Sequence, residues 1–265
     1  MGQIVCFANN KGGVGKTTTA VAMGYAWAKM GKKVLFVDLD SQANLTAMVS
    51  PLALDEHESS IRDAFLDKSK FVVEHAAERV DLVPSELSLS NFDRDTASIT
   101  GREYLLLDLV KPIKNKYDYI IIDCPPSLSM LTVNAMTTAD AVLVPIQCEF
   151  YALEGLSQLL HTIDLVKQRL NPSLEIEGIV FTMYDARTNL SAQVVESVNS
   201  YLAKKVYKSI IPRNVRLAEA PSHGLPINLY DPKCIGCEAY RNLAEEVMNK
   251  DHKTIKLSTY ITKKK

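Results

Sequence analysis

Cysteine is scarce and odd in number: Cys6, Cys124, Cys148, Cys234 and Cys237 are the five in the chain. Three of them fall in or at the ends of apolar runs, which is not the pattern of a disulfide framework. Charge of one sign is also lacking. The formal net charge is −1, so a globally cationic surface is excluded and any nucleic-acid contact must come from a local basic patch. No apolar stretch approaches the roughly 20 residues that span a bilayer. The first apolar run is short and passes straight into a glycine-rich loop, which is not a secretory signal pattern, and the expected location is the cytoplasm. The chain has no internal repeat, no low-complexity linker, and neither a zinc finger nor a recognition helix that would read bases.

The remainder is ordinary in bulk, with 47% apolar and 23% charged residues among 265, and informative in its order. Apolar runs alternate with amphipathic stretches. Strands are expected over residues 3–8, 34–37, 80–84, 119–123, 141–145, 176–183 and 206–211. Helices are expected over 16–30, 101–114 (disturbed by Pro112), 151–170, 189–204 and 237–249, with short helices over 43–66 broken at Pro51. Strands alternating with helices predict an α/β fold: a single domain with a mostly parallel, twisted sheet covered on both faces, its strand C-termini gathered on one edge.

The most informative segment is Lys11-Gly12-Gly13-Val14-Gly15-Lys16-Thr17-Thr18, directly after Ile4-Val5-Cys6-Phe7-Ala8. A glycine-rich loop between a strand and a helix curls its amides onto an anion, and the helix adds its positive end. Lys16 is placed to reach β- and γ-phosphates and the Thr17 hydroxyl to ligate Mg²⁺. Asn10 stands where the usual phosphate-loop pattern has glycine, and Lys11 supplies a second cation at the loop entrance. An apolar strand ending in aspartate, Ile120-Ile121-Ile122-Asp123, is the second half of such a site; its carboxylate would hold Mg²⁺ through water. Asp38 and Asp40, at the end of another strand, would share a face near the phosphates.

The loop resembles the deviant Walker A motif of the ParA/MinD family of P-loop ATPases, in which the first lysine crosses a two-fold interface to the partner's nucleotide. Val37-Asp38-Leu39-Asp40-Ser41-Gln42-Ala43-Asn44 resembles the family's D-x-D-P-Q-x-N box, with Ser41 in place of the usual proline. Ile211-Pro212-Arg213-Asn214-Val215-Arg216-Leu217-Ala218-Glu219-Ala220-Pro221-Ser222-His223-Gly224, Thr182-Met183-Tyr184-Asp185-Ala186-Arg187-Thr188-Asn189-Leu190-Ser191 and the block from Gln147 to Leu156 resemble segments of its chromosomal, Soj-type branch. The resemblance covers residues 1–250. It implies a Mg²⁺-dependent ATPase activated by forming an ATP sandwich homodimer, with Asp40 positioning or activating the attacking water and Asp38 supporting the Mg²⁺ site. It also implies that Pro212 and Asn214 contact adenine, that Arg187 and Arg216 bind nonspecific double-stranded DNA, and that a ParB-type centromere-binding partner stimulates hydrolysis. Location on the nucleoid would follow.

Arg213, Lys204, Lys205 and Lys208 could widen the DNA patch, although the lysines read better as ordinary solvated surface. Residues 251–265 form a basic tail without a helical apolar stripe, expected to be disordered, and no stable membrane association is expected. Two other readings stand beside partitioning. One is a MinD-like membrane ATPase of division-site selection. The other is an iron–sulfur carrier using Cys234-Ile235-Gly236-Cys237 across a dimer, since one C-x-x-C is half of a tetrahedral site; the plainer reading of that pair is two small residues before the last helix.

Overall fold

The computed structural model describes residues 2–50, 52–149 and 152–249; the basic tail predicted over 251–265 lies outside them. In chain order the elements are β1 (Gln3–Phe7), α1 (Lys16–Lys29), β2 (Val34–Asp38), α2 (Asn44–Val49), α3 (Ile61–Leu66), β3 (Glu74–Ala77), β4 (Val80–Val83), α4 (Phe92–Asp95) and α5 (Leu105–Val110). They continue with β5 (Tyr119–Asp123), α6 (Met130–Thr138), β6 (Ala141–Gln147), α7 (Ala152–Arg169), β7 (Glu175–Thr182), α8 (Asn189–Leu202), α9 (Val215–Glu219), α10 (Ile227–Tyr230) and α11 (Ile235–Asn249).

The seven strands form one sheet in the order β3-β4-β2-β5-β1-β6-β7. Every pairing is parallel except β3 with β4. Central strands buried on both faces need continuous apolar runs, and β1 and β5 have them. Alternate residues feed two cores. Ile4, Cys6, Ile120 and Ile122 join the layer beneath α5, α6, α7 and α8. Val5, Phe7 and Ile121 join the layer beneath α1 and α11. Trp27, the one tryptophan, ties that second layer together. Its ring stacks on Tyr119 with centroids 4.0 Å apart, and its Nε1 donates to the Ala244 carbonyl at 3.0 Å. Such an aromatic pair adds about 1 kcal/mol beyond area burial.

The α/β architecture is as predicted, with local departures. Residues 206–211 are not a strand. Tyr207 and Ile211 donate to the Ile179 and Phe181 carbonyls of β7, but between them the Lys208 and Ser209 amides turn away and donate to the Glu246 carboxylate at 2.7 and 2.9 Å. A ladder cannot run through amides spent on a side chain, and only single bridges remain, Ile179 with Val206 and Tyr184 with Pro212. The helix predicted over 101–114 shrinks to α5, with 3₁₀ turns on either side and Pro112 inside the second. β3 was invisible because its sequence, Glu-His-Ala-Ala, has no apolar run. α6, also unforeseen, starts at Met130 after Ser129.

Candidate nucleotide-binding site

The C-terminal ends of β1, β2 and β5 converge on the glycine-rich loop. Gly13 and Gly15 sit at φ +73° and +84°, a left-handed backbone that other residues adopt only under strain. The loop is pinned from three sides. The Asn9 Nδ2 donates to the Pro145 carbonyl at 2.8 Å, the Lys11 amide donates to the Asn9 Oδ1 at 3.0 Å, and the Thr182 Oγ1 at the end of β7 donates to the Val14 carbonyl at 2.8 Å. α1 then opens at Lys16 with no side-chain cap and no acidic residue in its first turn. Its leading amides and its dipole therefore face the loop uncompensated, as an anion site requires.

Lys16 is buried at 6% exposure and curls back so that its Nζ donates to the Lys11 carbonyl at 3.2 Å. Burial lowers its pKa, while the Asp123 and Asp40 carboxylates pull it back up. A buried ammonium with one carbonyl partner is a cation short of anionic contacts, and a polyphosphate would meet that shortfall.

Asp38 and Asp123 are register partners on adjacent strands, and both are fully buried. The Thr17 Oγ1 donates to the Asp123 Oδ2 at 2.6 Å. The Asp123 Oδ1 is buried without a hydrogen-bond partner among the described residues. Burial, and secondarily Asp38, hold this carboxyl well above the usual range. An orphaned carboxylate oxygen beside a threonine hydroxyl fits a hydrated divalent cation. Asp38 differs. Its Oδ1 accepts from the Asp40 amide at 3.0 Å, and its Oδ2 accepts from the Thr46 amide and hydroxyl at 2.9 and 2.8 Å. Burial pushes Asp38 up to about 6, against the pull of those donors.

β2 ends at Asp38, so Asp40 lies in the turn that follows rather than on a strand face shared with Asp38. It is 9% exposed, and among the described residues its Oδ1 accepts only from the Gln42 amide, at 3.1 Å. The Ser85 hydroxyl at 2.8 Å and the Ala43 amide at 2.9 Å both hold its carbonyl. Ala43 takes φ +52° to enter α2. Lys11, at the mouth of the loop, directs its ammonium to the Glu149 carboxylate.

Pro212 and Asn214 line a pocket of about 240 Å³ beside the loop, together with Gly15, Thr18, Met183 and Leu217. The Asn214 Oδ1 accepts the Arg216 amide at 2.8 Å and caps α9. Its Nδ2 has no bond among the described residues and is available to a base edge. Met183 holds φ +50°, a strained backbone at the pocket wall. The pocket lining is largely apolar, as suits a planar base.

The family model described as "AAA domain" matches residues 2–176. The sporulation initiation inhibitor protein Soj of Bacillus subtilis is 49% identical over 250 residues, covering 93% of this chain and 98% of that protein. The chromosome partitioning protein ParA of Myxococcus xanthus is 48% identical, covering 95% and 89%. Among solved structures, cobyrinic acid a,c-diamide synthase of Mycobacterium smegmatis with bound ADP and magnesium matches with a TM-score of 0.82 at 33% identity, covering 96% of this chain and 98% of that one. The cell division ATPase MinD of Pyrococcus furiosus matches with a TM-score of 0.76 at 25% identity, covering 94% and 99%.

The chain belongs to the ParA/MinD family of P-loop ATPases. In this ParA-family chain the fold gathers Lys16, Thr17, Asp40 and Asp123 at one sheet edge, with Pro212 and Asn214 in the pocket alongside. Arg187 and Arg216 are outside that pocket. Arg187, in a turn, has a side chain 78% exposed and pairs with Asp185 at 2.6 Å. Arg216 lies in the short helix α9 and pairs with Glu219 at 2.9 Å and Asp231 at 3.5 Å. Arg187, Lys208 and Arg213 line an open cavity of about 860 Å³ that adjoins the pocket across Pro212 and Arg213. The Lys205 Nζ is turned inward to the Ile176 carbonyl at 2.8 Å. The sequence reading missed the contributions of Asn9, Thr46, Ser85, Glu149, Met183 and Tyr240. Met183 and Glu149 lay inside the family-like blocks; Thr46 and Ser85 carried no signal, because they act through carboxylates distant in sequence.

Proposed function

We propose that this chain is a DNA-partitioning ATPase that couples Mg·ATP binding to dimerisation and to nonspecific DNA binding. The observation that carries the reading is the Thr17–Asp123 pair with its unpartnered Oδ1 beside the anion-poor ammonium of Lys16. Relatives at 45% and 48% identity that are chromosome partitioning proteins favour this role over a MinD-like one.

In this reading Gly12, Gly13, Val14, Gly15 and Thr18 surround the phosphates with amides, and Thr17 and Asp123 hold the Mg²⁺. When bound, Mg²⁺ neutralises charge on the β- and γ-phosphates. Asp40 positions the attacking water and receives its proton. Asp38 supports the site by fixing the Asp40 turn through the Asp40 and Thr46 amides. Pro212 packs on adenine, and the Asn214 amide reads its edge. Lys11 faces Glu149 within its own protomer. Once released from that pair it serves the nucleotide of a second copy, which makes hydrolysis slow until two copies meet. Arg187, paired with Asp185, and Arg216, paired with Glu219 and Asp231, exchange those carboxylates for DNA phosphates; such contacts are independent of sequence and weaken with salt. A ParB-type partner stimulates hydrolysis and releases the dimer.

The test is retention on a nonspecific duplex with ATP, ADP or no nucleotide, for the wild type, Lys11→Ala and Arg216→Glu. Binding by the wild type with ATP alone, weakened by salt, is the expected result. Equal binding in all three nucleotide states would overturn the switch, and no binding in any state would remove the DNA role.

A further inference from the structure

The nucleotide site does not use Cys234-Ile235-Gly236-Cys237, the segment that opens α11. Cys234 is half-buried and Cys237 buried. The Cys234 Sγ accepts the Cys237 amide at 3.3 Å, so the first sulfur already faces the turn that carries the second. Residues three apart around a helical turn have Cα atoms about 5 Å apart, within the roughly 4.4–6.8 Å that disulfides bridge. Cys6 and Cys124 are 0% exposed, Cys148 6% and Cys237 7%, so Cys234 is the cysteine that a small reagent reaches first.

This turn is packed against the base pocket with no slack. A Cβ added at Gly236 would stand 2.7 Å from the Leu217 Cγ, and Leu217 is a wall of the pocket that holds Pro212 and Asn214. Tyr240, one turn further along α11, also lines the pocket. Its hydroxyl lies 3.1 Å from the Thr19 Oγ1, in the helix that Lys16 begins. Any movement of the first turn of α11 is therefore felt at both the base and the phosphate ends of the site.

We propose that Cys234 and Cys237 are an oxidisable dithiol, closed to an intrachain disulfide by exchange with a low-molecular-weight disulfide, and that closure weakens nucleotide binding by displacing Leu217. The Cys234 thiolate attacks one sulfur of the small disulfide RSSR, forming a mixed disulfide and expelling RS⁻. The Cys237 thiolate then attacks the Cys234 Sγ, breaking the mixed disulfide and expelling the second RS⁻. The two protons lost by the cysteines end on two RSH, so two protein thiols are oxidised and one small disulfide is reduced. Cys234, the less buried of the two, is the attacking group. Burial, with the Cys234 sulfur and the Asp231 carboxylate beside it, holds the Cys237 thiol up against the pull of Arg241 and Lys29, so ring closure quickens as pH rises. The coupling to nucleotide rests on the ATP-binding reading above; the dithiol does not.

The experiment equilibrates the full chain in buffers of oxidised and reduced glutathione and maps the quenched protein by mass spectrometry. In parallel it measures affinity for a fluorescent ATP analogue with Mg²⁺, using the wild type, Cys234→Ser and Cys237→Ser. We expect a reversible Cys234–Cys237 disulfide and a fall in nucleotide affinity of about threefold or more, restored by a reducing dithiol. Cys234→Ser, at the more exposed position, should bind like the reduced wild type and ignore oxidant. A wild type that stops at glutathione on Cys234, or that closes the ring with unchanged affinity, would overturn the proposal, as would an equal loss in Cys234→Ser. A reduced wild type that binds no nucleotide would instead overturn the ATPase reading and the coupling with it, while the disulfide map still decides the dithiol.

Discussion

Asp38 closes β2 and Asp123 closes β5. They are opposite each other across neighbouring parallel strands and are equally buried. Yet the chain after β2 folds back through Asp40 and α2 and delivers three donors to Asp38. The chain after β5 runs on through Cys124 and Pro125, and among the described residues Asp123 receives one donor, the Thr17 hydroxyl. A buried carboxylate with its lone pairs filled by protein is scaffold; one left with an orphaned oxygen is a place for a cation. Residue type, strand position and depth are the same in both, and the following loop makes the difference.

That contrast can be broken by experiment. The largest effect is expected from Asp123→Ala, which should lower ATP hydrolysis roughly 100-fold or more while leaving the thermal midpoint of the nucleotide-free protein unchanged or raised. A loss of stability larger than that of Asp38→Ala would refute the division of roles. Asp38→Ala should itself destabilise the fold by about 2 kcal/mol, because the Thr46 hydroxyl and two amides lose a buried acceptor; chemical denaturation measures this. Its pH dependence sharpens the point. The folded pKa of Asp38 is raised from 3.8 to about 6. Between those values the unfolded chain has released a proton that the folded chain still holds, so this group's contribution to stability falls as pH rises from about 4 to about 6. Melting curves of the wild type across that window should slope accordingly, and Asp38→Ala should flatten the slope. The smallest effect is expected for Thr46→Val, about 1 kcal/mol, with hydrolysis nearly unchanged.

Legibility followed the same line. The phosphate loop could be read because every requirement is local: glycines at positive φ, a lysine, a hydroxyl and a helix start lie within eight consecutive residues. Asp123 could be read because a β-branched apolar run ending in aspartate is unusual enough to pair with that loop. The strand expected at 206–211 failed for a reason no local pattern carries, since Glu246 on α11 takes the amides a ladder needs. The helix that carries Arg216 has five residues, too few for periodicity to reveal. Its cap, Asn214, serves the base pocket as well, and one residue with two roles gives a mixed signal.

The amino-acid order by itself determined the parallel α/β sheet and the glycine-rich turn from β1 into α1, because hydrophobic period and backbone freedom are properties of neighbouring residues. Only the tertiary structure decided which aspartate stays open, how Lys11 is held, and what walls the base pocket. Those outcomes depend on donors and contacts from Thr46, Ser85, Glu149, Leu217 and Tyr240, which reach the site through the folding of separate helices and loops rather than through any spacing along the chain.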